Sequence, residues 1–308
     1  MTDDIRAGQP AQDVEAAAPG PGGQLPPDGK ALMQTAAPSA FPPIGEYAFL
    51  SDCETTALVA PNGAVEWMCA PRMDSPSVFA AMLGRGAGSF RLAAADAEVP
   101  HDRRYLPGTL VLETSWNVGE GWIIVRDALI VGPWKLKDPS RSTYQRPPTD
   151  YAAAHMLVRT VRCVNGEVQL LMECEPAFEY GLHHATWEHT EAGYHQATAH
   201  AEEDGDLRLG FEGSRAVARS LLKEGEARFC VLSWGDVRPP KTFKQAYRRL
   251  TWTAHHWQHW LAGGRIPDHP WKAHLTRSAL TLKGLSYAPP GVSGSEVVAA
   301  AAIAPVGA

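Results

Sequence analysis

Two close pairs of side chains have the types and spacing for acid–base or metal chemistry. Glu173 and Glu175 lie two residues apart on a predicted strand, so both carboxylates point to one face of the sheet. His255 and His259 are one helical turn apart, the spacing that metal ligands on a helix adopt. However, no Glu lies between the two histidines and no Cys-x-x-Cys spacing occurs. We therefore interpret both pairs as solvated polar faces and predict neither a catalytic residue nor a metal site there.

The glycine-rich segment Gly84–Gly88 (Gly-Arg-Gly-Ala-Gly) is the best candidate for a cofactor phosphate loop. It lacks the Lys-Ser/Thr ending of such a loop and the helix whose N–H groups would hold the phosphates. No Gly-x-Ser-x-Gly motif of an esterase occurs. The segment is therefore predicted to be a turn between strands, and we predict no cofactor.

The elements that would position these side chains are mainly β-strands. Many short apolar or β-branched runs follow residue 44, with turn signals at short intervals, which indicates an antiparallel β-sandwich. Two Asn-Gly pairs predict hairpins with type I′ turns: Asn62-Gly63 joins runs 57–60 and 64–68, and Asn165-Gly166 joins runs 155–164 and 167–174. Residues 1–40 are rich in Ala, Pro and Gly without apolar periodicity, and are predicted to be a disordered tail.

The pattern becomes helical after residue 240. Six apolar residues spaced four and three apart share one helical face, with Thr242 as a predicted N-cap and Gly263-Gly264 as the end. These residues are Phe243, Tyr247, Leu250, Ala254, Trp257 and Leu261. A second helix is predicted after Pro270, with Trp271, Leu275, Ala279 and Leu282 on one face.

Two segments together resemble a known family. The run from Trp67 to Ser75 reads Trp-Met-Cys-Ala-Pro-Arg-Met-Asp-Ser and ends the first hairpin. It is similar to the Trp-x-Cys-x-Pro-Arg-Phe-Asp-Ser ending of the opening hairpin in glycoside hydrolase family 15, the bacterial trehalase and glucoamylase-like group, with Met73 at the usual Phe. Residues 277–289 resemble the first helix of that family's (α/α)6 catalytic barrel, although Gly284 stands where the family has Leu or Met. The resemblance covers residues 43–290.

The resemblance implies the fold class and a division into domains. The fold would be mainly β: an antiparallel β-sandwich followed by a linker helix and the first helix of an incomplete (α/α)6 barrel. The trehalase-like N-terminal sandwich would span residues 41–236 after the disordered tail 1–40. A helical linker would span 237–266, and 267–308 would be the truncated start of the catalytic domain.

The resemblance also implies a function that this chain would not perform alone. Full-length family members hydrolyse trehalose or related α-glucosides with inversion, which needs two carboxyl groups roughly 6.5–9.5 Å apart. In the family both are Glu residues of the barrel, beyond the last residue of this chain. We therefore expect a non-catalytic N-terminal domain, with an α-glucoside as the substrate of the full-length relatives. A separate chain completing the barrel and a free-standing sandwich module that binds carbohydrate or protein are the alternatives.

The loop after the first hairpin carries the predicted functional contacts. If the sandwich packs against the barrel as in the family, Arg72 and Asp74 would either contact the substrate rim or brace barrel loops. Trp67 is a third candidate for the rim or the domain interface, although its place inside a hairpin favours the core. Bracing is the favoured role for the loop.

The amino-acid composition limits the possible partners and the cellular compartment. The net charge is −6 and the pI is near 6.1, which favours neither nucleic acid nor an anionic membrane as a partner. The ten Trp residues suit a large β core better than a sugar-binding surface. No apolar run approaches the roughly 18 residues of a membrane span, and the polar start of the chain does not resemble a secretory signal. Five cysteines, an odd number, favour a reducing compartment, so we predict a cytoplasmic protein.

Overall fold

The computed structural model describes residues 41–131, 153–189, 197–200, 206–209, 215–235, 237–287 and 296–297. The predicted tail at 1–40 and most of 288–308 therefore lie outside the described residues. Within these residues the chain forms two large antiparallel sheets, a short 3-10 helix at Ile44–Glu46 and three α-helical segments.

The first sheet has the strand order β1-β2-β3-β5-β10-β15, with β4 paired to β3. Its strands are β1 Ala48–Ser51, β2 Thr56–Val59, β3 Ala64–Cys69, β4 Ser77–Phe79, β5 Ser89–Ala94, β10 Glu167–Glu175 and β15 Ala216–Lys223. The second sheet has the order β12-β13-β14-β16-β9-β8-β7-β6. Its strands are β6 Asp102–Tyr105, β7 Leu112–Val118, β8 Gly121–Val131, β9 Ala153–Asn165, β12 Thr186–His189, β13 Ala197–His200, β14 Asp206–Leu209 and β16 Ala227–Trp234.

The two sheets pack face to face around one core, which confirms the predicted mainly β, antiparallel sandwich. Apolar side chains of both sheets, such as Phe90 and Leu92 on β5 and Trp116 on β7, are fully buried in a common cluster. A buried ion pair lies in this core: Arg159 on β9 bonds Asp127 of the neighbouring strand β8 at 2.8 Å, and it reaches across the core to donate to the backbone carbonyls of Phe90 and Gly63. Each guanidinium nitrogen thus donates a hydrogen bond where an unpaired charge would be costly.

The helices pack on the outside of the sandwich. Helix α1 is a single irregular turn, Phe178–Gly181, next to the two-residue strand β11 His183–His184. Helix α2, Phe243–Ala262, begins and ends as predicted, because the Thr242 hydroxyl accepts the N–H of Gln245 and Gly263 follows its last turn. Helix α3, Lys272–Leu285, leads into a two-stranded ladder of β17 Ser286–Tyr287 and β18 Glu296–Val297.

Two predictions about turns were wrong. In the first hairpin only Gly63 has a positive φ, of 80°, whereas a type I′ turn needs two such residues. Its N–H bonds to the Ala60 carbonyl while the Ala60 N–H bonds to Ala64, so the loop has three residues. The second predicted hairpin does not exist: β9 pairs with β8 and β16, and β10 pairs with β5 and β15. The Asn165-Gly166 turn instead carries the chain from one sheet to the other.

Candidate functional site

The predicted loop contacts form an exposed ion pair. Arg72 donates from Nε and a terminal nitrogen to the two carboxylate oxygens of Asp74, at 2.9 and 2.8 Å. Both side chains are more than half exposed, at 53% and 58%. The bonds to Asp74 raise the pKa of Arg72, and the Tyr287 phenol adds to the increase, which places β17 beside this loop. The structure therefore brings Arg72 and Asp74 together on the surface, next to the end of helix α3.

Trp67 lies apart from that pair. It sits half-buried on β3, and its ring contacts Tyr180 of the α1 turn, with 6.3 Å between ring centroids. Tyr180 has a left-handed backbone, with a φ of 63°, and its N–H is held by the Ser77 hydroxyl at 2.9 Å. Trp67 and Tyr180 thus form a separate aromatic pair, and the structure provides no shared contact between Trp67 and the Arg72–Asp74 pair.

The turn that precedes β2 contains a buried carboxylate that the sequence analysis did not single out. One oxygen of Asp52 accepts the backbone N–H groups of Glu54 and Thr55, at 3.0 and 2.8 Å. The other oxygen is buried without a hydrogen-bond partner. Burial raises the pKa of Asp52 to about 6, despite the two N–H bonds that lower it. The turn therefore carries a group that titrates near neutral pH.

His155 of β9 meets this turn from the other sheet. Its Nε2 lies 2.9 Å from a carboxylate oxygen of Glu54, and its ring stacks on Trp234 with centroids 6.1 Å apart. The hydrogen bond to Glu54 raises the pKa of His155, and the nearby Asp52 charge adds to it. Both His155 and Cys53 have positive φ values, of 49° and 70°, which are uncommon outside glycine. Nothing in the local sequence signals this pairing, because 101 residues separate the two partners.

Hydrogen bonds tie this turn to helix α3 and to the Arg72 loop. The Ser51 hydroxyl donates to the Gly284 carbonyl at 2.6 Å, and the Met73 N–H donates to the Glu54 carbonyl at 2.9 Å. Gly284 permits the close approach of the helix, since a Cβ there would lie 2.8 Å from Phe49. We call residues 51–55, 72–74, 155 and 284–287 the loop cluster. Its exposed groups offer hydrogen-bond donors and acceptors for a polar ligand or a partner surface.

The opposite face of helix α3 is apolar and uncovered. Trp271, Leu275 and Leu282 are 62%, 41% and 63% exposed, whereas Leu280 and Leu285 are buried against the sandwich. The predicted shared face is therefore real, but it points away from the described part of the protein. An apolar stripe of this kind is typical of a surface that another element covers.

The remaining candidates have structural roles. Arg215 bonds both Glu173 and Glu175, at 3.2 and 3.5 Å, as expected for a solvated strand face. His255 and His259 lie on the exposed side of α2, and among the described residues no group of three or more metal-ligating side chains occurs. All five cysteines are free thiols. No helix in the described ranges is both long and apolar enough to cross a membrane.

The first part of the sandwich matches a known protein family. The family described as "Trehalase-like, N-terminal" matches residues 36–122, which include the first hairpin, the 51–55 turn and the Arg72 loop. Residues 36–122 are thus similar to a trehalase-like N-terminal domain.

Curated relatives extend the match to the helices. The trehalases of Mycolicibacterium smegmatis and Mycobacterium tuberculosis are each 51% identical over 261 residues, which cover 82% of this chain and 39% and 38% of the relatives. A trehalase of Thermoplasma volcanium is 25% identical over 260 residues, covering 82% of this chain and 39% of that protein. The chain belongs to the trehalase and glucoamylase-like family of glycoside hydrolases. It spans about two fifths of the length of these curated relatives.

A structural comparison adds little. A bacterial glucoamylase complexed with acarbose matches with a TM-score of 0.43 and 9% identity, over 77% of this chain and 40% of that chain. This similarity is too low to carry an inference about the site.

Proposed function

We propose that this chain is the N-terminal, non-catalytic domain of an enzyme that hydrolyses trehalose or a related α-glucoside. Residues 41–236 form the sandwich, 237–266 the helical linker and 267–308 the start of the helical catalytic domain. The observation that carries the proposal is the two-sided helix α3. One side is locked into the sandwich through Gly284 and Leu280, and the other presents Trp271, Leu275 and Leu282 to solvent.

The uncovered side of α3 fits the neighbouring helices of an (α/α)6 barrel. Three large apolar side chains on one helical face would lose their exposed area on packing, with about 25 cal/mol stabilisation for each Å² buried. The length of the relatives supports this occupant, because the trehalases in which 261 residues match are more than twice as long as the matched part. Both catalytic carboxylates would then belong to the barrel.

The loop cluster is the proposed contact between sandwich and barrel. Its members are bonded to the end of α3, so they lie beside the first element of the catalytic domain. In this position Arg72 and Asp74 brace barrel loops or border the substrate pocket. Trp67, with Tyr180, is proposed as a second interface contact. We further propose a cytoplasmic location, which the five free thiols favour over an oxidising compartment.

The non-catalytic role is tested by glucose release. Purified chain 1–308 is incubated with trehalose and with maltose, and free glucose is measured against a protein-free blank. We expect the rate to equal the blank with both sugars. A rate well above the blank that survives repurification would overturn the proposal. If a separate chain completes the barrel, adding that chain should restore glucose release.

The role of the Arg72 loop is tested in a chimera. The matched residues of this chain replace those of the Mycolicibacterium smegmatis trehalase, and Arg72→Ala and Asp74→Ala are compared with Lys223→Ala. Lys223 pairs with Glu167 at 3.4 Å and is equally exposed, but it lies on β15 away from the cluster. A substrate-rim role raises KM in the Arg72 and Asp74 variants, and a bracing role lowers the Tm with KM unchanged. If both variants behave like Lys223→Ala, the loop has neither role.

A further inference from the structure

A groove on the outer face of the second sheet has no part in the proposed function. It encloses about 430 Å³ between β8, β9, the turn at 224–225 and the first turns of helix α2. Pockets that bind small molecules start at about 300 Å³. The polar, charged and aromatic side chains that line it are Arg126, Thr160, Arg162, Glu224, Phe243 and Tyr247.

One wall of the groove is aromatic. Phe243 and Tyr247 lie one helical turn apart on α2 and stack with 5.9 Å between ring centroids and an interplanar angle of 21°. Tyr247 remains 42% exposed. The sequence pattern placed both on the apolar face of α2. At the start of the helix this face is not covered, and Ala246 and Leu250 make the packing contacts with the sheet. Exposed rings with a polar tip are typical of binding surfaces.

A polar wall adjoins the aromatic one. Arg126 donates to a Glu113 oxygen at 2.7 Å and to the Tyr247 hydroxyl at 3.2 Å, so its guanidinium is held in place against the aromatic wall. Arg162 and Glu224 are exposed at the groove. Their planar groups supply hydrogen-bond donors and acceptors within reach of one small ligand.

The charges of the groove favour a neutral ligand. Arg126 is paired with the buried Glu113, which lies behind the groove and also bonds Arg104, so Arg162 and Glu224 are left as one exposed charge of each sign. An anion would meet the carboxylate of Glu224, and a cation would meet the two guanidinium groups. An aromatic face beside several polar groups suits a molecule with one apolar C–H face and a rim of hydroxyls, which is the chemistry of a pyranose ring.

We propose that this groove is a carbohydrate-binding site for a short, neutral oligosaccharide, with one sugar ring packed against the exposed part of Tyr247 and its hydroxyls bonded to Arg126, Arg162 and Glu224. That the sugar is an α-linked glucoside rests on the proposed function, but the binding of a neutral sugar does not. The site would hold an oligosaccharide substrate on the enzyme without taking part in bond cleavage.

Calorimetric titration of chain 1–308 with maltotriose tests the site. We expect saturable binding with a Kd in the millimolar range, about −4 kcal/mol. Tyr247→Ala should weaken binding at least roughly tenfold, and Tyr247→Phe should weaken it less because the ring remains. The matched control is Trp252→Ala, since Trp252 is another exposed aromatic on the same helix, covered by Arg248 and outside the groove.

Three outcomes overturn the proposal. The first is the absence of saturable heat at a maltotriose concentration of about ten times the expected Kd. The others are equal affinity of the Tyr247→Ala and Trp252→Ala variants for maltotriose, and displacement of bound maltotriose by inorganic phosphate. If Tyr247→Ala does not fold, as judged by circular dichroism, Arg162→Ala serves as the second variant, with the same expected loss. A parallel titration with cellotriose tests whether the site prefers an α-linkage. If maltotriose and cellotriose bind with equal affinity, the groove is still a carbohydrate-binding site but is not specific for α-glucosides. If the groove does not bind sugar, the glucose-release and chimera experiments still test the proposed function independently.

Discussion

Replacing the buried carboxylate of the loop cluster should change how stability depends on pH. Asp52 is 4% exposed, one of its oxygens has no partner, and its pKa is raised from an ordinary value of 3.8 to about 6. Because the folded pKa is the higher one, Asp52 favours folding at low pH, and that contribution is lost as the pH rises through about 6. Two pH units correspond to about 3 kcal/mol. Roughly half of this change falls between pH 5 and pH 8.

The substitution Asp52→Asn removes the titration and keeps the geometry. The amide oxygen still accepts the N–H groups of Glu54 and Thr55, while the amide nitrogen replaces the unpartnered oxygen. The variant should therefore gain about 1–2 kcal/mol relative to the parent between pH 5 and pH 8. Any constant cost of the unpaired amide cancels in this difference. His155 also has a raised pKa, so its own contribution is present below about pH 6.5 and is lost at higher pH. The hydrogen bond to Glu54, the largest cause of this shift, is kept in Asp52→Asn, and only the smaller contribution of the Asp52 charge is lost.

Urea unfolding at pH 5, 6, 7 and 8, followed by tryptophan fluorescence, measures the effect. Asp74→Asn is the control, because this exposed carboxylate lies on the neighbouring loop and surface substitutions change stability by less than about 0.5 kcal/mol. The reasoning is refuted if the stability difference between Asp52→Asn and the parent stays constant with pH, or if it falls as the pH rises.

Two further substitutions test the packing. Gly284→Ala should lower the free energy of unfolding by about 1–2 kcal/mol, since the new methyl would lie 2.8 Å from Phe49 and overpacking outweighs the helix propensity gained. The control is Ser278→Ala on the exposed side of α3, which should not destabilise the protein. Urea unfolding measures both variants, and an unchanged stability of Gly284→Ala would contradict the close packing at this position. Asp127→Asn should cost about 3–5 kcal/mol by leaving Arg159 unpaired in the core. A loss below about 1 kcal/mol in the same assay would show that the backbone carbonyls alone satisfy the guanidinium.

Local signals in the sequence predicted the elements whose ends are set by local chemistry. Thr242 caps α2 through its own hydroxyl, and Gly263 follows its last turn, so both limits depend on nearby residues alone. The Arg72–Asp74 pair is also local, since the partners are two residues apart. For the same reason the family-specific loop was recognisable in the sequence.

The features that were missed depend on distant partners. The Asn165-Gly166 turn has the local chemistry of a hairpin, but β9 pairs along its length with β8 and β16, and the turn backbone packs against Glu120. Which strands pair is decided by burial of the whole sheet and not by the turn. The Glu54–His155 contact and the burial of Asp52 likewise require the assembled sandwich, so no spacing in the sequence indicates them.

We propose above that this chain forms the N-terminal, supporting part of an α-glucoside hydrolase. The most direct test of this claim is the rate at which the purified chimera with the Mycolicibacterium smegmatis trehalase releases glucose from trehalose. Because the two sequences are 51% identical over 261 residues, we expect kcat/KM within about tenfold of the parent trehalase, a difference of about 1.4 kcal/mol in the barrier. A chimera that folds, as judged by its Tm, but releases no glucose would contradict the claim.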